Sequence, residues 1–66
     1  MSRVNLTDTE VRTLRCFAAG ATIKTAAREL DREPETIKWR MRLIRAKLGA
    51  STTTQAVVVA LRERII

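Results

Sequence analysis

The fold is set by residues 34–49, which read PETIKWRMRLIRAKLG. Within this run, apolar residues recur at i, i+4, i+7 and i+11: they are Ile37, Met41, Ile44 and Leu48. This spacing places the four side chains along one side of an α-helix. We therefore predict a single helix with one buried side. Pro34 suits its first position and Gly49 suits its C-cap.

The opposite side of this predicted helix is basic. Lys38, Arg42 and Arg45 recur at i, i+4 and i+7, and Trp39 lies among them. No acidic residue occurs between Lys38 and Lys47. Like charges spaced in this way oppose helix formation by a few tenths of a kcal/mol each, and an exposed indole is costly unless something covers it. We predict that this side binds an anionic partner. The alternatives are a solvated basic surface and an inward-leaning Trp39.

Composition favours a small helical domain that binds nucleic acid. The chain has 66 residues, enough for one domain, with 45% hydrophobic residues, two glycines and one proline. So few turn residues favour helices over strands. The formal net charge of +6 is typical of a domain that binds nucleic acid. A cationic membrane peptide has a similar balance, but here the apolar residues form several separate stripes rather than one broad face.

Several functional classes are disfavoured by what the sequence lacks. It has no histidine, one cysteine, no glycine-rich phosphate loop and no pair of carboxylates in an apolar setting. We therefore expect no enzyme, no metal, no cofactor and no small-molecule ligand. Cys16 can form no internal disulfide, which favours a reducing cytoplasm. Residues 1–4 do not open a signal peptide, and the longest apolar run, residues 56–61, is too short to span a membrane.

Two further helices are predicted before residue 34. Residues 1–5 are expected to form a flexible arm, after which Thr7 and Glu10 match a capping box. A helix follows and ends at Gly20 as its C-cap. Its inward positions are Val11, Leu14, Phe17 and Ala18.

Thr22 is the predicted cap of a second, short helix. Its apolar stripe is Ile23, Ala26, Ala27 and Leu30, and the two alanines allow close helix crossing. A turn over residues 31–33 then leads to Pro34. A short helix, a brief turn and a longer basic helix make up a helix-turn-helix.

A fourth helix is predicted after Gly49, capped by Thr52 or Thr53 and running to about Arg64. One apolar stripe holds Ala56, Val57 and Ala60, and a second, roughly opposite, holds Val58, Leu61 and Ile65. One helix of a small domain does not bury both sides against its own core. The second stripe therefore predicts a contact with another copy of the chain, the alternative being scattered exposed aliphatic residues.

These residues resemble the LuxR-type (GerE-type) helix-turn-helix domain of bacterial transcription regulators. The resemblance covers residues 6–66 without gaps. It begins at Leu6, Thr7 and Glu10 and continues through Leu14, the Ala18-Ala19-Gly20 run, Lys24, Ala27 and Leu30. Its most specific part is Pro34, Thr36, Ile37, Lys38, Ile44, Lys47, Leu48 and Gly49, followed by Gln55, Ala56, Val57 and Ala60.

The resemblance implies an all-α, four-helix domain that binds double-stranded DNA through the third helix and forms a homodimer through the fourth. By position, the expected contacts to bases are Lys38, Trp39 and Arg42. The expected contacts to phosphates are Lys24, Thr36, Arg40, Arg45 and Lys47, and the expected dimer contacts are Val58, Leu61 and Ile65. Arginine and lysine suit both tasks, since they donate to guanine edges and neutralise phosphates.

Some positions depart from this pattern. Arg40 stands where the family usually has histidine, Glu33 where it has a small cap residue, and Arg32 where it has an apolar residue. Leu43 replaces a polar or basic residue, and Thr53 stands where an arginine is common. These departures affect the phosphate contacts rather than the core.

Two other interpretations remain open. The run from Thr36 to Leu48 is also similar to region 4 of bacterial sigma factors, which lacks the Lys-Leu-Gly link and the Ala-Val fourth helix. A helix-turn-helix module can instead bind protein, such as RNA polymerase or another regulator, and Glu33 and Leu43 are consistent with that role.

The sequence thus predicts a DNA-binding transcription regulator of bacterial or phage origin, in the cytoplasm and associated with the nucleoid. A chain of this family usually carries a receiver or ligand-binding domain first, for which Met1 leaves no room. We expect either a stand-alone regulator, controlled by protein level, dimerisation or a partner, or an excised domain of a longer one.

Overall fold

The computed structural model describes residues 5–66, which form four α-helices and contain no β-strand. The helices are α1 (Asp8–Ala18), α2 (Ile23–Leu30), α3 (Pro34–Leu48) and α4 (Thr53–Arg62). This architecture confirms the predicted all-α, four-helix domain. The predicted N-terminal arm, residues 1–5, lies outside the described residues apart from Asn5.

Helix α1 begins at the predicted capping box. The Thr7 backbone N–H donates to Oε1 of Glu10 at 2.9 Å, and the Glu10 backbone N–H donates to the Thr7 hydroxyl at 3.1 Å. The side chain of Leu14 is buried and that of Phe17 half-buried. Ala18 was predicted to face the core but is exposed, because the buried side of α1 is centred on Glu10 and Leu14.

The end of α1 lies one residue earlier than predicted. Ala19 is the C-cap, with φ −85°, and Gly20 follows it with φ +96°. A left-handed backbone of this kind costs glycine little and other residues more. Gly20 therefore turns the chain just after the cap instead of serving as the cap.

The predicted helix-turn-helix is confirmed. The Thr22 hydroxyl accepts the Thr25 N–H at 3.2 Å, and the Thr25 hydroxyl accepts the Thr22 N–H at 2.8 Å, so α2 starts with a reciprocal cap. Asp31 ends α2 in a left-handed conformation with φ +53°. Pro34 then occupies the first turn of α3, where its missing N–H costs no hydrogen bond.

The apolar stripe of α3 joins two parts of the core. Toward its N-terminal end, Ile37 packs with Ala26 and Ala27 of α2. Toward its C-terminal end it packs against α1 and α4, in a cluster of Leu14, Met41, Ile44, Leu48, Ala56 and Ala60. All four predicted stripe residues of α3 are buried. Because one side of α3 is fixed against the core in this way, the opposite side is turned outward.

Helix α4 is capped by Thr52, whose hydroxyl accepts the Gln55 N–H at 3.0 Å. It ends at Arg62, so the predicted extension to about Arg64 is wrong. Arg64 adopts a left-handed backbone, φ +57°, and the Ile65 N–H donates to the Ala60 carbonyl at 2.8 Å. The chain therefore turns back, and Ile65 packs half-buried against the core instead of continuing an exposed helical stripe.

Candidate nucleic-acid interface

The side of α3 opposite the core presents Lys38, Trp39 and Arg42, which are all exposed. Trp39 is 56% exposed, and Leu43, one turn further along, is 38% exposed. An inward-leaning Trp39 is therefore excluded. The structure brings the three predicted base-contacting residues together on one outward surface, which we call the α3 outer face.

The charges on the α3 outer face are available to a partner. The Lys38 Nζ lies 3.1 Å from Oε1 of Glu35, and both side chains are largely exposed. An exposed pair of this kind contributes about 0–1 kcal/mol, so Lys38 can exchange it for another anion. Arg42 forms neither an ion pair nor a side-chain hydrogen bond within residues 5–66. The cationic groups of this face are thus held only weakly by the protein itself.

Two predicted phosphate contacts border the α3 outer face. Thr36 is half-buried in the first turn of α3. Arg45 is also half-buried, and its Nη1 donates to the Thr53 hydroxyl at 3.5 Å, a long contact that links α3 to the first residue of α4.

Two more of the five predicted phosphate contacts, Lys24 and Arg40, lie on helix α2 and close to helix α1, respectively. Lys24 is exposed in the first turn of α2, two residues after its cap. Arg40 is half-buried and lines a surface cavity that residues of α1 also reach.

Lys47, the fifth predicted phosphate contact, already has a partner in the protein. Its Nζ lies 2.7 Å from Oε1 of Glu10, whose side chain is 8% exposed. Burial raises the pKa of the Glu10 carboxyl, but the hydrogen bonds from Lys47 and Thr7 and the charge of Lys47 outweigh it. The net pKa lies below its ordinary value. The sequence did not suggest this pair, because its members are 37 residues apart.

Acidic groups lie at the start of α3. Glu33 is the N-cap residue, but its side chain makes no capping hydrogen bond, and Glu35 lies in the first turn. Both carboxylates suit the positive end of the helix dipole. They also repel phosphate. The basic residues of α3 begin at Lys38, after these two carboxylates.

The predicted dimer contacts separate into two groups. Val58 is 40% exposed and Leu61 is 56% exposed on α4. Val58 also lines a surface cavity of about 390 Å³ together with Gly49 and Ala50 of the preceding link. Ile65, by contrast, contacts the core of its own chain. The large exposed apolar side chains of α4 are therefore Val58 and Leu61.

Cys16 is half-buried, and its thiol lies 3.4 Å from Oε2 of Glu29. Burial, the hydrogen bond to Glu29 and the charge of Glu29 together raise the pKa of the thiol. The thiolate is the reactive form of cysteine. Cys16 thus has the properties of a packing residue rather than a nucleophile.

Among the helices of residues 5–66, none combines the length and apolar character needed to cross a membrane. Within the same range, no cluster of three or more His, Cys, Asp or Glu side chains is placed to hold a metal ion.

Comparison with known proteins gives two matches. A family model described as "Bacterial regulatory proteins, luxR family" matches residues 4–60. The transcriptional regulatory protein YdfI of Bacillus subtilis (strain 168) is 35% identical over 65 residues, which is 98% of this chain and 30% of that protein. The chain thus spans about 30% of the length of this relative. No solved structure matches significantly.

These matches bear directly on the sequence predictions. The family model covers most of the residues from which the LuxR-type resemblance was argued, and it confirms that resemblance. It also supports the prediction that the matched residues form a regulatory domain rather than an enzyme.

Proposed function

The chain belongs to the luxR family of bacterial regulatory proteins, and we propose that it regulates transcription by binding a specific double-stranded DNA sequence as a homodimer. One observation carries the proposal: Lys38, Trp39 and Arg42 form an outward surface on a helix whose opposite side is fixed in the core. A helix presented in this way can enter the major groove, which is wide enough for it.

The α3 outer face supplies two kinds of base contact. Arg42 and Lys38 can donate hydrogen bonds to O6 and N7 of guanine, which is the most common specific contact in protein–DNA complexes. Trp39 offers an apolar ring that packs against a thymine methyl group. Since Arg42 has no competing acceptor in the described part of the chain, we assign it the main role in sequence recognition.

Phosphate contacts fix the position of the domain on the duplex. We assign these to Lys24 on α2 and to Thr36, Arg40 and Arg45 on α3, which lie beside the base-reading residues or at the edges of the fold. Lys47 stays a predicted phosphate contact, but its charge is partly neutralised by Glu10. Contacts of this kind strengthen binding to all sequences without distinguishing among them.

The homodimer is proposed to form through α4. Val58 and Leu61 are large apolar side chains exposed on one side of that helix. Two copies related by a two-fold axis bury the same patch on each chain. The two α3 helices then meet half-sites about one helical turn apart, roughly 10–10.5 base pairs.

Selection of bound duplexes from a random DNA pool tests this function. The proposal predicts enrichment of a motif with two-fold symmetry. If the folded protein enriches no motif, sequence-specific DNA binding is contradicted. The exposed Trp39 and Leu43 would then point to a module that binds protein, such as RNA polymerase or another regulator.

A further inference from the structure

Three arginines from different parts of the fold line one surface cavity. Arg12 comes from α1, Arg32 from the turn between α2 and α3, and Arg40 from α3, while Thr9 and Leu30 complete the lining. The cavity has a volume of about 60 Å³. Pockets for drug-sized ligands have volumes of about 300–1,000 Å³, so the space suits a single small anionic group rather than a large ligand.

The three guanidinium groups have no carboxylate partner in the described part of the chain. The ion pairs among residues 5–66 are Lys38 with Glu35 and Lys47 with Glu10. Arg32 makes one weak contact, from Nη1 to the Asp31 carbonyl at 3.5 Å. Most of the donors around the cavity are therefore free, and three like charges directed at one space repel each other until an anion enters.

Two of the three arginines also border neighbouring cavities that contain carboxylates. Glu29 lies beside the Cys16 thiol and lines a neighbouring cavity, which Arg12 also borders. Arg32 also lines a further cavity, together with Asp31, Glu33 and Thr36. The lining of the three-arginine cavity itself contains no carboxylate. It offers guanidinium groups, one hydroxyl and one apolar side chain.

We propose that this cavity binds a single phosphate group. The planar guanidinium fork matches two phosphate oxygens at once, which a lysine does not do. Arg12, Arg32 and Arg40 surround the phosphate, and the Thr9 hydroxyl can donate to a further oxygen.

Either a nucleic-acid backbone or a free phosphorylated molecule can supply the phosphate. The site goes beyond the proposed function, because binding of a free phosphate requires no DNA and does not use Lys38, Trp39 or Arg42. Arg40 is the one residue that the site shares with the proposed DNA contacts. Where the phosphate belongs to DNA, the site rests on that function and adds a phosphate contact at the α1 side of α3.

Titration of the 66-residue chain with inorganic phosphate tests the site. Phosphate replaces chloride at constant ionic strength, and backbone amide signals are followed by NMR. We expect saturable shifts centred on Thr9, Arg12, Arg32 and Arg40. Shifts that do not saturate, or that spread over all cationic residues alike, would overturn the proposal.

Matched variants separate the cavity from general charge. Arg12→Gln and Arg32→Gln replace exposed side chains, and each should weaken phosphate binding about tenfold. Arg62→Gln on α4 removes the same charge away from the cavity and should leave phosphate binding unchanged. Circular dichroism confirms that each variant is folded. Equal weakening by all three variants would refute the site.

A second titration with short duplex DNA distinguishes the two sources of phosphate. If the backbone supplies it, the duplex shifts the same four amides, and Arg12→Gln weakens binding to every duplex alike. If a free molecule supplies it, inorganic phosphate saturates the cavity without DNA, and the duplex leaves the amides of Thr9, Arg12 and Arg32 unshifted. Arg42→Ala should impair DNA recognition but not phosphate binding, so failure of one proposal is distinct from failure of the other. If neither source saturates the cavity, an acidic protein segment becomes the better partner and the phosphate site is rejected.

Discussion

Lys47 on α3 and Glu10 on α1 form an ion pair with 2.7 Å between Nζ and Oε1, although 37 residues separate them in the sequence. The same carboxylate oxygen accepts the Thr7 N–H at the start of α1. Glu10 therefore caps α1 and ties it to the helix that carries the α3 outer face. The Lys47–Glu10 ion pair therefore helps to fix the orientation of α3, and with it the α3 outer face, relative to α1.

Lys47→Met should destabilise the protein by about 1–2 kcal/mol. The change leaves the buried Glu10 carboxylate without its charged partner, which is costly, although the partial exposure of Lys47 reduces the loss. Urea unfolding measures the effect. Lys24→Met, which removes an exposed lysine without an ion pair in the described residues, is the control and should stay within about 0.5 kcal/mol. Equal effects of the two variants would show that the ion pair contributes nothing.

Acid should weaken the fold partly through Glu10. Because its pKa is lower in the folded protein than in the unfolded chain, its ionised form stabilises the fold at neutral pH. This contribution is complete above the pKa of the unfolded chain and is lost as the pH falls through the lower pKa of the folded protein. We expect the free energies of unfolding of wild type and Glu10→Gln to converge as the pH is lowered through these pKa values. If the difference in free energy of unfolding between the two proteins stays constant with pH, the ionised Glu10 carboxylate does not stabilise the fold.

Much of the fold is local in origin and could be predicted from the sequence. The stripe of Ile37, Met41, Ile44 and Leu48, the capping box of Thr7 and Glu10, and the position of Pro34 all depend on spacings of a few residues. The exposed Lys38, Trp39 and Arg42 followed from the same periodicity.

What the sequence did not predict arises between distant segments or from backbone conformation. The pairing of Glu10 with Lys47 and the meeting of Arg12, Arg32 and Arg40 join separate elements, for which no sequence spacing is diagnostic. The turn that carries Ile65 onto the core depends on a left-handed Arg64, and no glycine marks that position.

Leu61→Glu should convert the proposed dimer to a monomer that keeps its helical circular dichroism. Leu61 is 56% exposed in the single chain, so a charge there does not disturb the core, but it does oppose an apolar contact between two copies. Sedimentation velocity gives the oligomeric state. Leu43→Glu, which changes the exposed leucine of α3, should leave sedimentation unchanged. If Leu61→Glu sediments like wild type, α4 does not form the dimer through this residue.

Lys24→Ala should weaken binding to all duplexes by a similar factor. It should also reduce the slope of log K against log salt concentration by about one. The reason is that a phosphate contact carries no sequence information. Fluorescence anisotropy with the selected duplex and a scrambled one, at several salt concentrations, measures both effects. A loss limited to the selected duplex would assign Lys24 to base recognition instead.

The most direct test of base recognition by the α3 outer face is the affinity of wild type and Arg42→Ala for the selected duplex and for a scrambled one at the same salt concentration. Arg15→Ala, which removes an exposed arginine from α1, is the control for charge. We predict that Arg42→Ala loses about 1–3 kcal/mol on the selected duplex and much less on the scrambled one, whereas Arg15→Ala affects the two equally. If Arg42→Ala loses the same affinity on both duplexes, Arg42 does not read a base, and the proposed recognition by α3 is contradicted.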